Sequence, residues 1–183
     1  MAALNFNQKK TLVAFERFYG NRYKAHSEEA NNTRMHIETQ KMCYLLKVAG
    51  VEIGDFDYSW NFKGPFSPGL LALLRSMDRK KSDVLEFYDE TSDTEKFLSG
   101  QSTRIDELRE RLEIGTHQEQ NTQWVEILGS LTYISRAMLP GADFDVVNQR
   151  LVREKPEYSD EAVNRHTWNL LSAANLLSIM ETH

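Results

Sequence analysis

Bond-making chemistry needs ionisable or nucleophilic side chains gathered in an unusual environment. This chain offers few candidates by spacing. Its single cysteine, Cys43, lies in the apolar run Met42-Cys43-Tyr44-Leu45-Leu46. Free cysteine is among the most buried residue types, so a small core residue is expected there rather than a nucleophile. The five histidines are His26, His36, His117, His166 and His183. No two of them are three or four apart on a helix, the local spacing from which metal sites are usually built, so no metal is expected. Asp55 and Asp57 fall on one face of an alternating stretch, where solvent exposure explains them. Glu28-Glu29 reads as part of a loop. Gly64, Pro65 and Gly69 match no phosphate-cradling pattern. No catalytic residue and no cofactor are expected. The ordered polar groups are read as serving turns, caps and solvated faces.

Two features could instead contact a partner. Arg75 to Lys81, RSMDRKK, is locally basic. Cations favour a helix C-terminus for electrostatic reasons, and the same cations could meet a phosphate or an acidic partner. Lys63, Arg75, Arg79, Lys80 and Lys81 are the candidates for such contacts. Phe56, Tyr58, Trp60 and Phe62 alternate with polar residues. They suit a half-buried strand covered by helices better than an exposed platform for stacking bases.

These residues must be carried by mostly helical elements. Helical spacing of Leu12, Phe15, Phe18 and Tyr19 predicts a helix over Asn7 to Tyr19, stopped at Gly20-Asn21 and followed by a loop over 21–32. A second helix is predicted from Thr33, burying Met35, Met42, Leu45, Leu46 and Ala49 and ending at Gly50. Asp55 to Asn61, continuing to Phe62, is predicted as a strand. Gly64, Pro65, Phe66 and Ser67 form a structural motif within a turn over 63–69. There Gly64 permits the bend, Pro65 stiffens it, Phe66 anchors it, and Ser67 caps a helix with Pro68 at its first position. That helix carries Leu70, Leu71, Leu73, Leu74 and Met77. Val84 to Tyr88 is expected to pair with the first strand. Further helices are predicted over about 103–114, 121–138, 144–154 and 160–181, the last capped by Ser159. Asp89 to Gln101 reads as a flexible polar junction. The expected architecture is mainly α, of α+β type, with one small antiparallel β-sheet and a winged-helix-like N-terminal half. It divides into residues 1–90 and an acidic helical half, 91–183, packed as one domain.

The 183 residues suffice for one core. No apolar run approaches the roughly 20 residues of a membrane helix. The N-terminal MAALNFNQKK lacks the apolar core of a signal peptide, and a lone cysteine excludes an internal disulfide, so a cytoplasmic location and no membrane partner are expected. The net charge of −5 conceals an asymmetry: residues 1–81 carry 13 Lys+Arg and 8 Asp+Glu, whereas residues 82–183 carry 9 and 19. The balances are +5 and −10. Opposed halves can pair internally or face different partners.

Two blocks carry a family resemblance. Gln40-Lys41, then Tyr44-Leu45-Leu46, Gly50, the aromatic stretch, and Gly64-Pro65-Phe66-Ser67 with Leu70 resemble the layout of the YwgA-like prokaryotic proteins. A looser version resembles the antitoxin-associated Panacea domain. Trp124, Glu126, Leu128, Ser130, Leu131 and Tyr133, followed by Lys155-Pro156-Glu157-Tyr158-Ser159, resemble the helical C-terminal half of the YwgA-like group. The Panacea likeness implies a helix-rich domain that binds a partner protein, in a toxin–antitoxin or phage-defence setting. The expected function is therefore a non-enzymatic regulatory or interaction module with a protein partner. The alternative is a winged-helix transcriptional regulator that binds DNA through Arg75, Arg79, Lys80 and Lys81, with nucleic acid the less favoured partner. An enzyme whose site assembles from distant residues is a third reading. The apolar helix faces also permit a homodimer.

Overall fold

The computed structural model describes residues 4–19, 33–79, 87, 95–116 and 121–178. The first helix, α1, spans Phe6–Tyr19. It begins one residue earlier than its apolar spacing predicts, because Asn5 and Gln8 cap it reciprocally: the Gln8 N–H donates to Asn5 Oδ1 at 2.9 Å and the Asn5 N–H to Gln8 Oε1 at 3.0 Å. Leu12, Phe15 and Phe18 are buried as the spacing demands. The Tyr19 side chain, Gly20 and the 21–32 loop lie outside the described residues.

Helix α2 covers Thr33–Val48. Met35, Met42, Leu45 and Leu46 are buried, but so are Glu38, Thr39, Gln40 and Lys41. The helix is enclosed on several sides, packing on α1 and on elements from both ends of the chain. Gly50, at φ +76°, ends it, and the Val51 N–H reaches back to the Leu46 carbonyl at 2.9 Å.

The aromatic stretch departs from expectation. Only Ser59–Asn61 pairs as a strand, β1. Residues 51–58 stay outside the sheet, with Val51 and Ile53 buried. The partner is not 84–88. Antiparallel β2, Gly64–Phe66, pairs Ser59 with Phe66, Trp60 with Pro65 and Asn61 with Gly64. The stretch read as one turn is thus a tight hairpin with Phe62-Lys63 at its tip. Gly64, at φ +90°, accommodates the bend. Phe87 is helical and buried, and the rest of 84–88 lies outside the described residues.

Helix α3, Pro68–Asp78, starts as expected: Ser67 Oγ accepts from the Leu70 N–H at 3.3 Å and Pro68 occupies the first turn. Leu70, Leu74 and Met77 are buried. The expected flexible junction contains a helical turn, α4, Glu95–Leu98, whose Phe97 and Leu98 are buried against α1. Apolar side chains thus anchor part of a stretch that looked polar as a whole. Helix α5, Ser102–Arg111, buries Ile105 and Leu108.

Helix α6 is Asn121–Tyr133 and runs on as a π-turn, Ile134–Met138, where one helix to 138 was expected. Helix α7 is Phe144–Glu154, and a 3₁₀ turn, Pro156–Tyr158, precedes α8, Glu161–Ala173. Asp160, not Ser159, caps α8, accepting from the Ala162 and Val163 N–H groups. That helix ends eight residues before 181 because Asn175 turns left-handed at φ +57° and the Leu176 N–H bonds the Leu171 carbonyl.

Among the described residues the molecule is mainly α with one two-stranded antiparallel sheet. One apolar core joins Leu12, Phe15 and Leu45 from the first half to Leu112, Leu128 and Leu171 from the second. Helix α6 is the main neighbour of α2, and α5 that of α1. No described helix is long and apolar enough to cross a membrane.

Candidate functional site

Gln40 and Lys41 leave the side of α2 that faces the hairpin. The Gln40 amide grips both backbone groups of Ser67, donating to its carbonyl at 3.0 Å and accepting from its N–H at 2.8 Å. Lys41 Nζ donates to the Pro65 carbonyl at 2.9 Å. The Gln-Lys pair and the Gly-Pro-Phe-Ser block, separated in sequence, are two sides of one clasp. Glycines let the pieces approach. A Cβ on Gly64 would lie 2.7 Å from Ser130 Oγ, and one on Gly129 of α6 would meet Lys41 Cβ at 3.2 Å and Pro65 Cγ at 3.4 Å.

Behind the clasp lies a buried ionic cluster. Lys155, just after α7, donates to Glu126 on α6, and both are almost fully enclosed. The Tyr158 hydroxyl lies beside the same carboxylate. The Lys155 ammonium stands 5.8 Å from the Trp60 ring centroid and 5.4 Å from that of Tyr158, a cation–π arrangement. Two ammonium groups therefore share one carboxylate. Burial, with Glu126 opposing it and Lys155 and Lys63 adding to it, pulls Lys41 down to about 7. Burial also lowers Lys155, against the hold of the Glu126 carboxylate. The Tyr158 hydroxyl is pushed up by burial and then by the Glu126 charge. Ser130 Oγ is buried and has no hydrogen-bond partner among the described residues.

This cluster corrects the expectation that ordered polar groups serve only turns, caps and solvated faces. Lys41, Glu126 and Lys155 are between 1% and 3% exposed. A signal for it existed: Lys41 abuts the Met42–Leu46 apolar run, and Glu126 sits between Val125 and Ile127. A charge inside an apolar helical run is either an exposed face or a buried pair, and one sequence does not choose between them.

On the outer side of the clasp, a cleft of about 400 Å³ opens between α2, the hairpin tip and α3. Its apolar walls are Ile37, Phe62, Phe66 and Leu71, and its cations are Lys63 and Arg75, with His36 at its edge and Gln40 and Lys41 beneath. Phe62 is 76% exposed. The Lys63 ammonium lies 5.6 Å from the Phe62 centroid. His36 Nε2 stands 2.9 Å from Asp78 Oδ2.

Of the expected contact residues, the fold brings Lys63 and Arg75 into this cleft. Arg79 is exposed but does not line it, and Lys80 and Lys81 lie outside the described residues. Gly64, Pro65 and Ser67 are buried at their structural posts, and Phe66 walls the cleft as well as anchoring the turn. Phe56, Tyr58 and Trp60 pack against the core. Asp55 is fully exposed, 4.0 Å from Lys47, and Cys43 is buried, its thiol pushed up to about 12 by burial. Comparison with protein-family models, curated proteins and solved structures found no match to this chain.

Proposed function

We propose that this chain is a non-enzymatic interaction module that binds a partner protein through the cleft beside the 59–66 hairpin. The observation that carries the reading is Phe62, a large apolar side chain exposed at a hairpin tip and bordering an apolar cleft with two cations. Rigid aromatic tips next to concave apolar walls are the usual anchors of protein interfaces. The clasp of Gln40 and Lys41 on the hairpin root supports the same reading, because it fixes the tip before a partner arrives. The buried ionisable groups engage one another or backbone carbonyls, which suits a structural role better than catalysis. The resemblance of the clasp residues to the Panacea layout supports a partner from a toxin–antitoxin or phage-defence setting, met in the cytoplasm.

A photo-crosslinking residue placed at Phe62 tests this in the native host. It should yield one dominant protein adduct, and a Leu71→Glu change in the same chain should abolish it. Adducts that survive L71E, or none at all, would reject the cleft as the docking surface. Arg75 and Arg79 on α3 keep a DNA regulator as the competing reading. Duplex binding that weakens steeply with salt and is lost in R75A/R79A would favour it instead.

A further inference from the structure

We infer that the segment received by this cleft is acidic and apolar together: a stretch of partner chain carrying Asp or Glu carboxylates beside a large apolar side chain. The inference rests on the docking role proposed above and names the chemistry of what docks. Its basis is a mismatch of charge. Lys63 and Arg75 both line the cleft, yet neither forms an ion pair with any described residue. The nearby carboxylate of Asp78 stands against His36 instead. Two cations beside apolar walls, with no ion-pair partner among the described residues, favour a partner that brings carboxylates. Arg75 can bind a carboxylate through two parallel N–H donors, and Lys63 can add a point charge.

Charge alone would bind poorly at an open surface. The walls supply the rest. Ile37, Phe66 and Leu71 are each partly exposed within the cleft, and about 400 Å³ lies in the range of pockets that bury a ligand. A Phe or Leu side chain seated there would cover those walls together with Phe62 and exclude water from the carboxylate contacts. A purely acidic segment leaves the walls wet, and a purely apolar one leaves Lys63 and Arg75 without partners.

Three fluorescein-labelled hexapeptides separate these cases in the full-length chain: Asp-Asp-Phe-Leu-Glu-Asp, the same peptide with lysine at every acidic position, and the acidic peptide with Gly-Ser in place of Phe-Leu. Octanoate serves as a free carboxylate with an apolar body. Anisotropy reports binding, and methyl NMR shifts of Ile37 and Leu71 report its place. Only the first peptide should bind with shifts at those methyls. It should weaken at least about tenfold in K63E/R75E, a pair of surface changes whose folding is checked by circular dichroism, and in L71A. Equal binding of the lysine peptide would overturn the charge assignment, and octanoate binding as tightly as the peptide would make this a small-molecule site. If every probe left Ile37 and Leu71 unmoved while Phe62 still crosslinked a partner, the inferred chemistry would be wrong and the docking role would stand. Silence in both experiments would remove both.

Discussion

At Lys155 and Glu126 a charge pair is held where water cannot reach it. Such a pair adds little net stability over an apolar replacement, but removing one member strands the other. Lys155→Met alone should lower unfolding free energy by about 3–5 kcal/mol in urea titrations, and Lys155→Met with Glu126→Leu should recover much of that loss only when Lys41, which shares the carboxylate, is also replaced by Met. Equal losses in the single and triple variants would show that the side chains do not depend on one another. Lys41 makes the stability of the fold depend on pH. Its ammonium is lowered from 10.5 to about 7 in the folded chain. Below pH 7 both states hold the proton and the full penalty of the buried charge is present. Between about 7 and 10.5 the unfolded chain binds more protons, so stability rises with pH across that window. Lys155 is lowered too and acts in the same direction. The rise should be on the order of 2–4 kcal/mol, read below pH 10 before unfolded tyrosines ionise, and Lys41→Met should flatten it. Cys43, with its thiol buried and held near 12, should react with a thiol-specific reagent only as fast as the core opens. Fast, unfolding-independent labelling would contradict its burial.

Among the elements, the helices and the presence of one small antiparallel sheet were legible, but the pairing within that sheet was not, for a physical reason. A helix declares itself over several turns: Leu12, Phe15 and Phe18, or Leu70, Leu74 and Met77, recur at helical spacing and are buried where that spacing puts them. Period-two alternation in Phe56, Tyr58, Trp60 and Phe62 only says that alternate side chains differ in environment. It does not say that a neighbouring strand exists. Residues 55–58 belong to no strand, and the true partner of Trp60 is Pro65, inside what reads locally as a turn. The β2 strand is held by side chains from α2 rather than by its own propensity, through Gln40 on Ser67 and Lys41 on Pro65. The candidate site divides in the same way. Lys63 and Arg75 were visible as cations, but their meeting across a cleft depends on the hairpin geometry, and the buried Lys41–Glu126–Lys155 cluster depends on which helices pack together. Gly64→Ala tests the clasp directly. Its new methyl would meet Ser130 Oγ at 2.7 Å from a backbone held at φ +90°, so a loss of more than about 1 kcal/mol is expected. Pairing it with Ser130→Gly should restore only the steric part, leaving the strain of the left-handed backbone.

Across the whole molecule, the opposed charge halves meet through buried and exposed contacts alike. Glu126 of the acidic half neutralises a site that also holds Lys41 of the basic half, and Arg17 on α1 pairs with Asp106 on α5. The core follows the same plan: α2 finds its largest partner in α6, and α1 in α5, so each half supplies the other's apolar cover. A chain cut to residues 1–90 would leave Met42, Leu45 and Leu46 without α6, and Lys41 without the Glu126 carboxylate. Exposed apolar area of that kind cannot support a small core. The isolated half should therefore show little cooperative melting by circular dichroism, whereas the full chain should unfold in one transition at coincident midpoints by far-ultraviolet dichroism and by Trp60, Trp124 and Trp168 fluorescence. Mixing the two halves as separate peptides should recover helical signal, because the surfaces that need each other are then both present. A cooperative transition in residues 1–90 alone would mean that the hairpin and its cleft are held without the acidic half, and that the Lys41–Glu126–Lys155 cluster is not what fixes them.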